Sequence, residues 1–147
     1  MQGTVFERVG ERRVPSANAF VIVHWTGTRP GLGHYESVCY QAAIATTDEQ
    51  GRFNIREPKP LRSTFGVFRR EPAIAVFKPG FDTSGRAPEW SLVPTQLSAE
   101  QRAGVAGILS GYGCMDDKGF LVPLTDPMGV LPAFRAALAH ETGEKRK

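Results

Sequence analysis

Histidine is the side chain that titrates near neutral pH, so His24, His34 and His140 are the first places to look for proton transfer. His34 stands at the end of a glycine-rich stretch, residues 26–34, and is followed directly by Tyr35 and Glu36. A His-Tyr-Glu run on a loop holds the groups for general acid–base work or for gripping a small ligand. His24 falls in an apolar run and reads as a core or rim residue. His140 falls near the end of a helical pattern, where a cation is favoured by the helix dipole. The stretch "ATTDEQGRFNI", residues 45–55, raises the question of a metal. A calcium loop needs oxygen ligands at alternate positions, whereas Asp48, Glu49 and Gln50 are adjacent and Arg52 follows Gly51. Asp first and Gly fourth suit a type I turn with an adjoining bulge, so the stretch is expected to be a hairpin and not a metal site. Asp116-Asp117 reads as a polar turn, and no Gly-x-Ser-x-Gly elbow marks a serine nucleophile. The residues supply no catalytic constellation, no metal site and no cofactor motif, and the chain is expected to be non-enzymatic.

Binding residues are easier to find. Trp25 at a strand end, Trp90 in a proline-flanked connection, and Arg69-Arg70 beside Phe65 and Phe68 are of the types enriched in interface hot spots. The plainer reading, that the two tryptophans close the ends of the fold, stands beside it. The Arg and Lys residues of 56–72 lie on a long connection, which in a compact domain is either mobile or functional. With a net charge of only +3 and no interleaved stacking platform, they make a solvated loop or a protein-facing surface and not a nucleic-acid site.

These residues need a scaffold, and 147 residues supply one domain. No apolar run approaches the roughly 20 residues of a membrane helix, and residues 1–6 carry no export signal. "GTVFERV" is a short strand and "GERRVPSA" a turn. In "NAFVIVHW", Phe20, Ile22 and His24 alternate with Ala19, Val21, Val23 and Trp25, which predicts a central strand covered on both faces. Residues 26–34 read as a loop. A second strand follows over 35–46, with Val38, Tyr40, Ala42 and Ile44 on one face and Cys39 on the other. Phe53 and Ile55 carry its return, and "AIAVFKPGF" is the last clear strand. Beyond it, Ser98 and Gln101 form a capping box for a helix over 98–112 with a stripe of Val105, Ile108, Leu109 and Tyr112. Asp126-Pro127 caps a second helix, with Pro132 in its first turn and Leu131, Phe134 and Leu138 as its apolar stripe before Gly143. The final "EKRK" is a solvated tail. Cys39 and Cys114 lie 75 residues apart without paired CxxC spacing, and the residues alone leave a disulfide and two buried thiols both open.

Three motifs together, Val14-Pro15-x-Ala17 entering an apolar strand, the Thr-Thr-Asp-x-x-Gly-Arg-Phe hairpin at 46–53 and Val-Phe-Lys-Pro-Gly-Phe at 76–81, resemble the carboxypeptidase regulatory-like domains. The resemblance covers about residues 1–82 and implies a transthyretin-like (prealbumin-like) antiparallel β-sandwich; with the helical pattern of 97–142, the expected fold is mainly β with two C-terminal α-helices packed on the sandwich. "VPSANAFV" is longer than the family's usual pattern at that turn. "SVCYQAAIATTDEQGRF" is similar to a subgroup of small exported bacterial proteins with a Cys-Tyr before the hairpin and a second cysteine before a C-terminal helix. That similarity implies a Cys39–Cys114 disulfide, an oxidising compartment such as the periplasm, and a first helix laid across the outer face of the sheet. The Tyr-x-His-x-His signature of intradiol dioxygenases and the terminal Tyr-Arg-Gly-Ser of hydroxyisourate hydrolases, which share this sandwich, are absent. Domains of this kind are mostly accessory, so the expected function is protein binding, most concretely as an inhibitor or immunity protein against a secreted toxin or hydrolase. The rival is a transthyretin-like small-molecule hydrolase or ligand carrier using the loop at His34.

Overall fold

The computed structural model describes residues 1–57, 59, 66–110, 114–115 and 121–141, and of 106–110, 115 and 121 the backbone alone. In chain order the elements are β1 (Gln2–Val9), β2 (Arg12–Pro15), β3 (Phe20–Pro30), β4 (Tyr35–Thr46), β5 (Arg52–Asn54), β6 (Phe68–Arg69), β7 (Ala73–Phe77), β8 (Phe81–Arg86), β9 (Glu89–Pro94), α1 (Ala99–Ser110), β10 (Cys114–Met115), β11 (Leu121–Val122), β12 (Leu124–Thr125) and α2 (Leu131–Glu141). They form a β-sandwich with two C-terminal helices. One sheet runs β2-β1-β9-β8 with β5 also on β1, the other β12-β4-β3-β6 with β7 also on β3. The pairings are antiparallel except β1 with β9 and β12 with β4, which are parallel.

The alternation in β3 does what the sequence predicts. Val21, Val23 and Trp25 face the other sheet and meet Val5, Phe53, Trp90 and Leu92 in the main core, while Phe20 and Ile22 face outward with Ile44 and Phe77. That outer face is closed by Phe134 and Leu138 of α2, with the Phe134 ring 5.3 Å from Phe20 and 5.9 Å from Phe77. It is therefore the second helix, not the first, that lies across the sheet; α1 packs against α2.

Both helix starts are capped by the residues singled out in the sequence. Gln101 Oε1 accepts from Ser98 N–H at 2.9 Å while Ser98 Oγ accepts from Gln101 N–H at 3.2 Å, a reciprocal box. The Asp126 carboxylate accepts from Val130 and Leu131 N–H, each at 2.9 Å, so α2 begins at Leu131 with Pro132 in its first turn. In the α1 stripe Val105 is half exposed, whereas the Ile108 and Leu109 side chains, Tyr112, Gly143 and the basic tail lie outside the described residues.

Several expectations need correction. "GERRVPSA" is not only a turn, because Arg12–Pro15 pairs with β1 as β2. Most of 26–34 is strand: residues 26–30 pair with 35–39, and only 31–34 form the tip. Gly27 sits inside that strand because a Cβ there would come within 2.6 Å of the Phe68 carbonyl oxygen. The sandwich also runs on past residue 82, since β8 and β9 complete the first sheet. Trp90 is in β9 and its ring packs 5.5 Å from that of Phe53. The "DEQG" hairpin is as predicted, with Asp48 Oδ1 accepting from Gln50 and Arg52 N–H and Gly51 at φ +73.

One partly buried polar cluster ties the two sheets at the "FKPG" turn. Lys78 Nζ donates to Glu7 Oε1 and, at 3.0 Å, to the Ala17 carbonyl, and Ser16 Oγ donates to Glu7 at 2.8 Å. Burial pushes the Glu7 carboxyl up, but the hydrogen bonds from Lys78 and Ser16 and the Lys78 charge outweigh it and hold Glu7 below its ordinary value of 4.5. A depressed carboxylate stabilises the fold above its ordinary value and loses that contribution as pH falls through the folded one. Lys78→Met should therefore lower stability by about 1.5–3 kcal/mol at pH 7. In urea titrations the gap between the two proteins should narrow steadily below pH 4.5, where the wild type loses the Glu7 contribution.

Candidate functional site

The distal half of the β3–β4 hairpin, with β6 on its flank, projects as a flange. Its root is a bulge: Trp25 pairs with Gln41 and Thr26 with Cys39, so Tyr40 is the extra residue. The bulge shifts the parity of β4. Tyr40, Ala43 and Ala45 face the core between the sheets, while Ala42 and Ile44 face outward with Cys39. The expected common face of Tyr40, Ala42 and Ile44 is thus broken by one inserted residue.

Beyond the bulge, directly opposed residues share a face. Phe68 opposes Thr28, Thr28 opposes Ser37, and Pro30 opposes Tyr35. Tyr35 and Phe68, 71% and 64% exposed, therefore stand on one face, with Leu32 at the tip 98% exposed. Scattered apolar residues on a surface are ordinary, but three large ones on one projecting element are a local concentration.

The opposite face carries the buried Val38 and Tyr40, with polar contacts that fasten the flange. Arg69 lies over the Tyr40 ring at 5.3 Å and reaches Glu57 at 3.4 Å. Burial pushes the Tyr40 hydroxyl above its ordinary value and the Glu57 charge and hydrogen bond add to this, against the opposing Arg69 charge, so Tyr40 stays a donor. Gln41, almost wholly buried, donates to the Lys59 carbonyl at 2.9 Å and accepts from Ala42 N–H and Thr125 Oγ. Arg70 N–H donates to the Thr26 carbonyl at 3.0 Å. The described parts of the basic connection are thus held to β3 through Thr26 and to β4 through the bulge residues Tyr40 and Gln41.

Cys39 and Cys114 are joined by a disulfide with Cα atoms 5.5 Å apart. It pins the β10–β11 pair against Cys39 and Ala42, at the foot of the face that carries Tyr35 and Phe68. Cys39 sits beside Thr26, where the flange leaves the core.

Of the predicted binding residues, the fold brings His34, Tyr35, Phe68, Arg69 and Arg70 together on the flange. Trp25 and Trp90 are 4% and 5% exposed and belong to the core, so they offer no docking surface. Phe65 lies outside the described residues. Leu32, Glu57 and the bulge pair were missed; an apolar residue between Gly31 and Gly33 was the available signal for Leu32.

His34 is exposed, its Nδ1 is 2.9 Å from the Leu32 carbonyl oxygen and its Nε2 3.9 Å from Glu36. It lines neither the open cleft of 510 Å³ around Gln2, Asp48 and Asn54 nor the cleft of 310 Å³ beside Phe81. His24 is buried on the outer face of β3, and burial pushes its imidazole below the ordinary value. Among the described residues no group of three or more His, Cys, Asp or Glu is placed to hold a metal, and no helix is long and apolar enough to cross a membrane. Compared with family models, curated proteins and solved structures, the chain matches none.

Proposed function

We propose that this chain is a non-enzymatic protein-binding module that takes its partner on the flange. The observation that carries the reading is the exposure of Tyr35 and Leu32 on the β3–β4 hairpin and of Phe68 on β6 beside it, with the hairpin root tied by Gln41 and Tyr40. Aromatic anchors on a preorganised element lose little conformational freedom on binding, and the basic residues Arg69, on the opposite face, and Arg70, next in the chain, supply charge that aids encounter. The disulfide fits an oxidising compartment and, with the resemblance to small exported bacterial proteins, supports a role in the bacterial envelope. A projecting two-stranded element suits insertion into a cleft, and the most concrete role is inhibitor or immunity protein against a secreted toxin or hydrolase.

The test is capture from envelope and secreted extracts with the oxidised protein, in parallel with the Tyr35→Ala/Phe68→Ala variant. The wild type should retain one stoichiometric partner, and the variant should bind it at least about 100-fold more weakly, at roughly 2 kcal/mol or more for a central anchor. Both residues are exposed, so stability should change by less than about 0.5 kcal/mol each. Equal retention by wild type and variant sinks the reading.

A further inference from the structure

We propose that the cleft between the sandwich edge and the helical layer is a site, distinct from the flange, for a small uncharged ligand: a carboxamide on an apolar body. Its volume is 310 Å³, at the small end of ligand pockets. Val76 and Phe77 of β7 line it from the sandwich, and Leu97 and Val105 from the helical side.

The group that points to a ligand is Arg102. It lines the cleft, its side chain is 37% exposed, and its Nε is buried without a hydrogen-bond partner. A guanidinium N–H shut off from water and from any acceptor is costly, and native structures leave few such donors. The ion pair with Glu141 does not meet that need, because it is made by Nη1 at 3.8 Å, beyond hydrogen-bond reach. So long a contact ties the guanidinium loosely. The group can turn its Nε edge to an oxygen entering the cleft while Glu141 still balances its charge.

The charges set the class of acceptor. Arg102 and Glu141 offset one another, and Asp82 adds a further negative charge to the lining. An anionic ligand meets that excess. A cationic one competes with Arg102 for Glu141 and finds the Phe81 ring already taken by Lys78, whose Nζ lies 5.7 Å from its centre. An uncharged carbonyl oxygen accepts from Arg102 without either penalty. An amide also brings an N–H for Asp82, whose Oδ1 accepts from Thr95 Oγ at 2.9 Å and whose carboxylate has capacity for more than one donor.

The experiment is a titration of the intact oxidised protein with phenylacetamide at pH 7, followed by heteronuclear amide NMR. Phenylacetate and phenethylammonium serve as charged counterparts on the same apolar body. The amide should bind saturably, at least about tenfold tighter than either ion, and shift the signals of Val76, Asp82 and Arg102. Arg102→Lys keeps the charge opposite Glu141 but removes the Nε edge, so it should weaken the amide by about tenfold with the circular dichroism spectrum intact. Val105→Trp, a substitution at a half-exposed cleft residue, should abolish binding. The ranking of the three ligands on the wild type decides the matter even where a variant fails to fold. No saturable binding of the amide, an ion that binds as tightly, or an amide affinity unmoved in folded Arg102→Lys overturns the proposal.

Discussion

Trp90→Ala should lower the stability of this protein by about 3–5 kcal/mol, a large part of what a domain of this size possesses. Trp90 is 5% exposed in β9, its ring centre lies 5.5 Å from that of Phe53, and its strand joins β1 in parallel and β8 in antiparallel register. Truncation removes the ring from the middle of the core, and two paired strands limit how far the site can collapse onto the space. Urea denaturation followed by circular dichroism measures the loss as a lower midpoint. The partner affinity of the fraction still folded should be unchanged, which separates this tryptophan from an interface anchor. A stable Trp90→Ala protein with lost binding would restore the surface role.

The second large effect is that of the disulfide. Replacing Cys39 and Cys114 together with alanine reopens a 75-residue separation in the unfolded chain, and the chain-entropy model puts the cost at about 4 kcal/mol. The loss is not spread evenly. The bond holds the β10–β11 pair on Cys39 and Ala42, next to Thr26 at the root of the flange. Hydrogen exchange should therefore rise first at residues 114–115 and 121–122, then along the outer rows of the flange, before the main core around Val21 and Leu92. Uniform loss of protection across both sheets would contradict that local role.

What could be read in the sequence was what carries a strong local signal. The β3 alternation, the Asp48 to Gly51 turn and the Ser98–Gln101 capping box each state their geometry within a few residues. β8 was not legible because, at the sheet edge, Thr83, Ser84, Gly85 and Arg86 remain exposed and show no apolar alternation. β9 had a signal, Trp90 and Leu92 two apart and both buried, but Pro88 and Pro94 on either side suggested a connection.

The bulge at Tyr40 had no local signal, since strict alternation fits the same residues with Ala42 and Ile44 turned the wrong way. That one residue also decides the site. By placing Tyr40 and Gln41 inward it creates the anchors for Glu57, Lys59 and Arg69, and these convert a long basic connection into the side of a flange. His34, Tyr35, Phe68, Arg69 and Arg70 were found by type, but their meeting on one element is a product of pairing between distant strands. The cysteines were recognisable as a pair only through the family resemblance, because the geometry that joins them depends on the whole C-terminal layer.

Whether a partner protein seats on the Tyr35 and Phe68 face can be read by site-specific photocrosslinking in envelope extracts. A photoreactive phenylalanine analogue would be placed singly at Tyr35 and Phe68, and at Val9 and Met128, which are 58% and 57% exposed and lie off the flange. Positions 35 and 68 should each give a discrete adduct to the same protein, and positions 9 and 128 none. Adducts of equal yield from all four positions, or only from 9 and 128, would contradict it.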